Sequence, residues 1–140
     1  MKEELKRELL ASKGMAQSQV RAILSLHEEG LLDAEVARVP MRAYVLAKYS
    51  LTEDEADTDS IEGLAARSLE KVLSKAPSML TDADRPATCD GARSVDTKQA
   101  LLFHAVNKEF GLDVGGMEYA FAGTTSGLAR IVADALAKRR

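Results

Sequence analysis

A single hydroxyl group stands where a polar loop passes into an apolar helical pattern. The stretch "CDGARSVDTKQALLFH", residues 89–104, leads through Asp and Gly to Ser94 and then into a helix. A serine at such a junction is a common N-cap, because its oxygen accepts a hydrogen bond from a free N–H of the first turn. A hydroxyl at the end of a loop can also carry a covalently attached group. Both interpretations of Ser94 are open at this point, and Asp96 could provide the cap instead.

No other combination of residues predicts chemistry. The two His and the single Cys89 lie too far apart for a metal-binding spacing, and one Cys cannot close an internal disulfide. No glycine-rich phosphate loop and no nucleophile with an adjacent base can be assembled. We therefore expect a protein that is not an enzyme, with His27 and His104 on helix surfaces or half-buried.

The composition predicts a globular protein built from packed helices. Of the 140 residues, 46% are apolar and 29% are charged, which is enough apolar surface for a core and too little charge for a disordered chain. Aromatic residues make up only 4%, so the core must consist of Leu, Ala, Val and Ile. No strand pattern of period two and no internal repeat occurs, and the predicted fold class is all-α.

Charge and hydropathy argue against two classes of partner. The net charge of −3 and the pI near 5.5 disfavour a general nucleic-acid binder, which needs a basic surface facing the phosphates. No apolar run approaches the roughly 20 residues of a membrane span, and the N-terminus lacks the apolar segment of a secretory signal. We expect a cytoplasmic protein without membrane contact.

The N-terminal part predicts a series of short helices. Residues 2–11 place Leu on one helical face, and "SKG" at 12–14 is expected to end that helix. A second helix is predicted over 16–29, with Gly30 as its left-handed terminal residue. The residues expected on the inner faces are Leu5, Leu9, Leu10, Val20, Ile23, Leu24 and His27.

A further pair of helices is predicted around a proline. Asp33 is expected to cap a short helix that Pro40 interrupts, and Pro40 then opens another helix that runs to about residue 49. The inner face of that helix carries Met41, Tyr44, Val45 and Lys48.

An acidic stretch divides the chain. Residues 50–60, "SLTEDEADTDS", are almost free of apolar side chains and predict a linker. The expected organisation is a helical N-terminal extension at 1–50, an acidic linker at 51–58 and a second helical domain at 59–140. The alternative is an acidic turn inside one continuous bundle.

The second half predicts three long helices at 61–75, 97–110 and 126–137. Asp59 and Glu62 have the spacing of a capping box, and Thr125 or Ser126 is expected to cap the last helix. A long loop is predicted over 78–93 and a short segment over 117–123. The residues expected to be buried are Leu64, Val72, Leu102, Val106, Phe110, Leu128 and Ile131.

This order of elements, together with its motifs, resembles the acyl carrier protein family. Typical members carry a stretch such as "GADSLDT" at the start of their second helix, and this chain has "GARSVDT" at 91–97. Members also end that helix with a sequence like "EEFGIEI" and continue to a "TT" step. Here "KEFGLDV" spans 108–114, and Thr124-Thr125 precedes the last helix. The resemblance covers about residues 59–137.

The resemblance implies an acyl-carrier-like four-helix bundle that holds an acyl or related group on a phosphopantetheine arm esterified to Ser94. Its implied partners are a phosphopantetheinyl transferase and acyl-transferring or acyl-activating enzymes. A phosphodiester at a helix N-terminus meets free backbone N–H groups and the positive end of the dipole. Arg93 could pair with that phosphate.

Two departures from the family pattern lead to an alternative. The family usually has Asp directly before the modified serine, and this chain has Arg93. From Ser94 to Phe110 there are also two more residues than usual. Aligned from its Phe-Gly end without a gap, the helix places Asp96 on the attachment position, which would mean no attachment. The alternative function is a degenerate docking module of carrier-like shape that is not modified. Its second helix is less acidic than the second helix of typical family members.

A second alternative lies in the N-terminal part. Residues 31–51 loosely resemble a helix-turn-helix, with Arg38, Arg42 and Lys48 as phosphate contacts for a small DNA-binding regulator. The other interpretation is that the N-terminal helices pack on the carrier-like half or form the surface of a homodimer.

Overall fold

Six α-helices make up most of the part of the chain that the structure describes. The computed structural model describes residues 2–75 and 91–138, and within them the only bridge between extended residues joins Ser60 to Thr124. This confirms the all-α prediction. The helices are α1 (Lys2–Glu28), α2 (Ala34–Lys48), α3 (Ile61–Lys75), α4 (Gly91–Phe110), α5 (Gly116–Ala122) and α6 (Thr125–Lys138), with a 3-10 turn at Glu53–Glu55.

The first helix is continuous, so the predicted stop at residues 12–14 is wrong. Gly14 lies inside α1, and a Cβ at this position would meet no atom within 4 Å. A glycine in a helix interior costs only about 1 kcal/mol relative to alanine, which is too little to end a helix by itself. Ala16, Val20 and Ile23 are buried after it, and Leu24 is partly buried. The side chains of Leu5, Leu9 and Leu10 lie outside the described part.

The end of α1 follows the prediction. Gly30 has a φ of 76°, and its N–H donates to the carbonyl of His27 at 3.0 Å. The N–H of Leu31 returns to the carbonyl of Leu26 at 2.9 Å, which completes a Schellman motif. Asp33 then caps α2, because its Oδ1 accepts from the N–H of Val36 at 2.8 Å.

The second helix is also continuous, and the predicted interruption at Pro40 is wrong. Proline removes one helical hydrogen bond and disfavours the preceding turn by about 3 kcal/mol. The apolar stripe continues across it, because Ala37 precedes the proline while Met41 and Tyr44 follow, and all three are fully buried. Burial of a large side chain stabilises a fold by roughly 1.5–3 kcal/mol, so the two large residues after Pro40 offset its cost.

Helix α2 lies at the centre of the packing. Its most extensive contact is with α6, and its next is with α1, while α3 packs on α4 and α5 packs on α6. The buried residues of the N-terminal and C-terminal parts form one hydrophobic cluster. The division into an extension, a linker and a second domain remains a prediction, although both parts contribute to a single core.

The C-terminal helices confirm most of the predicted pattern. Helix α3 has the predicted bounds, and α6 differs by one residue at each end. Helix α4 begins six residues earlier than predicted. Leu64, Leu102, Val106, Phe110 and Leu128 are buried as expected, whereas Ile131 is only partly buried. The side chain of Val72 lies outside the described part.

The predicted helix caps in this half are wrong. Helix α3 is capped by Ser60, whose Oγ accepts from the N–H of Gly63 at 3.1 Å. Helix α6 is capped by Thr124, whose Oγ1 accepts from the N–H of Gly127 at 3.0 Å. The bridge between Ser60 and Thr124 brings the start of α3 beside the start of α6. Asp59, which precedes α3, therefore interacts with the start of α6 instead of capping α3.

Asp59 joins three segments of the chain. Its carboxylate accepts from the hydroxyl of Thr125 and from the Oγ of Ser126 at 2.9 Å, both at the start of α6. It also accepts from Nη1 of Arg42 on α2 at 3.1 Å, and the same guanidinium binds the carbonyls of Ala56 and Thr58. Burial raises the pKa of Asp59, but the hydrogen bonds from Thr125 and Ser126 and the charge of Arg42 outweigh it, and the pKa lies below its usual value.

We expect Met41→Ala to destabilise the whole chain and not only its N-terminal part. The side chain is fully buried in the shared core, and truncation of such a residue costs about 2–5 kcal/mol. Urea unfolding followed by circular dichroism measures the loss of unfolding free energy. Hydrogen exchange of the backbone amides of α6 shows whether the C-terminal part is destabilised too. The control is Leu101→Ala, because Leu101 is 62% exposed. Unchanged exchange in α6 would contradict a common core.

We also expect Asp59→Ala to loosen the junction between α2 and α6. It leaves the buried hydroxyl of Thr125 and the guanidinium of Arg42 without this acceptor, a loss of about 1–2 kcal/mol for a partly exposed carboxylate. Thermal unfolding measures this loss of stability. The control Asp57→Ala removes an exposed acid that pairs with Arg67, and its loss of stability should be clearly smaller. Equal losses in the two variants would show that the contacts of Asp59 with α2 and α6 do not stabilise the fold.

Candidate functional site

The start of α4 places Ser94 inside the helix. Helix α4 begins at Gly91, so the backbone of Ser94 belongs to the first turn and does not occupy the N-cap position. The cap interpretations of Ser94 and Asp96 are therefore wrong, and residues 91–93 are helical instead of loop. The rest of the predicted loop, with Cys89, and the side chains of Arg93 and Ser94 lie outside the described part.

Asp96 lies on a groove between α4 and α5. It is exposed, and it forms one end of an open cleft of about 480 Å³. The cleft is lined by Asp96, Gln99, Ala100, Phe103, His104, Asn107, Val114, Gly116, Tyr119 and Ala120.

An asparagine holds the far end of this groove. The side-chain amide of Asn107 donates to the carbonyl of Val114 at 2.9 Å, and its Oδ1 accepts from the N–H of Val114 at 3.1 Å. The hydroxyl of Tyr119 donates to the same Oδ1 at 2.5 Å. Gly111, with a φ of 67°, turns the chain at the end of α4 and allows this return. Asn107 thereby fixes the loop and α5 against α4.

Two aromatic rings form the wall of the groove. Phe103 on α4 stacks on Tyr119 on α5, with ring centroids 5.0 Å apart and planes inclined by 11°. Burial, and after it the charge of Glu118, raises the pKa of Tyr119 to about 12. Tyr119 is therefore neutral at physiological pH, and its hydroxyl remains the donor to Asn107. The groove offers an apolar wall with polar groups at its edge.

The opposite side of α4 is fixed to the N-terminal part. Glu109 accepts from the hydroxyl of Tyr44 and from the ammonium of Lys48 at 2.8 Å. Burial and the hydrogen bond with Glu109 raise the pKa of Tyr44. Lys98 donates to the buried hydroxyl of Ser68 at 3.2 Å, and its ammonium lies 5.8 Å from the ring centroid of Tyr49. Neither Glu109 nor Lys98 is therefore available as a free surface charge.

Each of the three bases that the helix-turn-helix interpretation uses is paired with an acid. Arg38 pairs with Glu35 at 3.0 Å, Arg42 pairs with Asp59 and Glu53, and Lys48 pairs with Glu109. The break that the helix-turn-helix interpretation placed at Pro40 does not exist. Within residues 2–75 and 91–138 there is no cluster of ligating side chains that could hold a metal ion. The same ranges contain no helix that is long and apolar enough to cross a membrane.

Comparison with known proteins gives no relative. The chain matches no family model, no curated protein sequence and no solved structure.

We expect the groove to depend on Asn107. Asn107→Ala removes three hydrogen bonds and leaves the buried hydroxyl of Tyr119 without this acceptor, which should cost about 2–4 kcal/mol. Tyr119→Phe removes only the bond from the hydroxyl to Oδ1 and keeps both bonds between Asn107 and Val114, so its loss should be smaller. Denaturant unfolding measures both variants. Equal losses in the two variants would show that the bonds to Val114 add nothing.

Proposed function

We propose that this chain is an acyl carrier-like protein that holds an acyl or related group on a phosphopantetheine arm at Ser94. The observation that carries the proposal is the position of Ser94, in the first turn of a 20-residue helix and within the stretch "GARSVDT". The backbone N–H groups of residues 91–93, directly before Ser94, have no helical partner and suit a phosphodiester. Helices α3 to α6 would form the acyl-carrier-like four-helix unit.

The chemistry of this role lies in the attached arm. The serine oxygen holds the phosphate as a diester, and the terminal thiol of the arm holds the acyl group as a thioester. The protein itself supplies the attachment point, a first turn that favours the phosphate, and a surface that partner enzymes bind. Arg93, the residue before Ser94, would add a positive charge beside that phosphate.

The partners of such a carrier would meet a mixed surface on α4. Lys98 and Glu109 are engaged within the fold, which leaves Asp96, Thr97, His104 and Lys108 as the exposed polar residues between positions 95 and 110 of this helix. Partners that carry a strongly basic docking face would therefore fit poorly. We expect a transferase and acyl-handling enzymes of the cytoplasm whose docking faces are nearly neutral.

A second candidate function is an unmodified docking module. The placement of Asp96 favours it, because the gap-free alignment of α4 puts Asp96 on the attachment position and Asp96 lines the groove beside α5. The arm is attached as a phosphodiester to a serine hydroxyl, and the carboxylate of Asp96 cannot form that bond. In that case the α4–α5 surface would bind enzymes without carrying a cargo.

We expect the intact mass of the chain to rise by one phosphopantetheine when it is co-expressed with a broad-specificity phosphopantetheinyl transferase. Ser94→Ala should abolish the gain, whereas Ser18→Ala, at an exposed serine of α1, should keep it. Arg93→Asp should speed the modification, because it restores the acid that the family presents to the transferase.

The alignment of α4 can be tested in the same assay. A chain with Ser94→Ala and Asp96→Ser should gain no mass if Ser94 is the attachment point, and it should gain the arm if the gap-free alignment holds. If the wild type and Arg93→Asp both keep the unmodified mass, the carrier function is wrong and the docking module remains.

A further inference from the structure

We draw no further inference here: the strongest candidate, the groove of about 620 Å³ between residues 111–114, α5 and α6, carries acids and bases side by side, with Asp134 between Arg130 and Lys138 along α6, so nothing in the structure shows what covers it.

Discussion

The burial of α2 between α1 and α6 is the contact on which the rest of this structure depends. Met41 and Tyr44 of α2 are fully buried, and the N-terminal and C-terminal helices share one hydrophobic cluster because α2 touches both. The polar contacts follow the same helix. Arg42 holds the acidic segment and the start of α6, while Tyr44 and Lys48 hold Glu109 of α4. One helix thus supplies both the apolar centre and the polar contacts that orient the groove.

This arrangement also decides which charges reach the surface of α4. In sequence, Lys98 and Glu109 resemble ordinary solvated residues of a helix with mixed charge. In the structure they bind Ser68 and Lys48, and the exposed charge between residues 95 and 110 is correspondingly small. The groove beside α5 is instead defined by packing, because Asn107 and the stacked ring of Tyr119 set its width. Recognition at this surface would depend on shape and local hydrogen bonds more than on long-range charge.

The sequence predicted the helices best where local signals agree. Helix α3 has its predicted bounds, since an apolar stripe at helical spacing begins at Ile61 and continues through Leu64 and Leu69. The errors at Gly14 and Pro40 have one cause, because burial of the flanking side chains outweighs an unfavourable local propensity. Asp59 has the spacing of a capping box, yet its partner lies 66 residues away, and no local pattern shows such a pairing. The hydrogen bonds of Asn107 to Val114 and Tyr119 were not predicted for the same reason. An amide side chain one turn before Gly111 is a sequence signal that could have suggested them.

The packing of α2 on α6 has a consequence for how the chain is made. Helix α2 leaves the ribosome well before α6 is synthesised, and its main partner is therefore absent during that interval. The buried face of α2 would meanwhile be covered only in part, by α1, because the long separation in sequence delays its other contacts. A nascent chain in this state exposes apolar surface that chaperones bind and that promotes aggregation. Slow translation between α3 and α6 should thus be more harmful to this protein than slow translation within its first two helices.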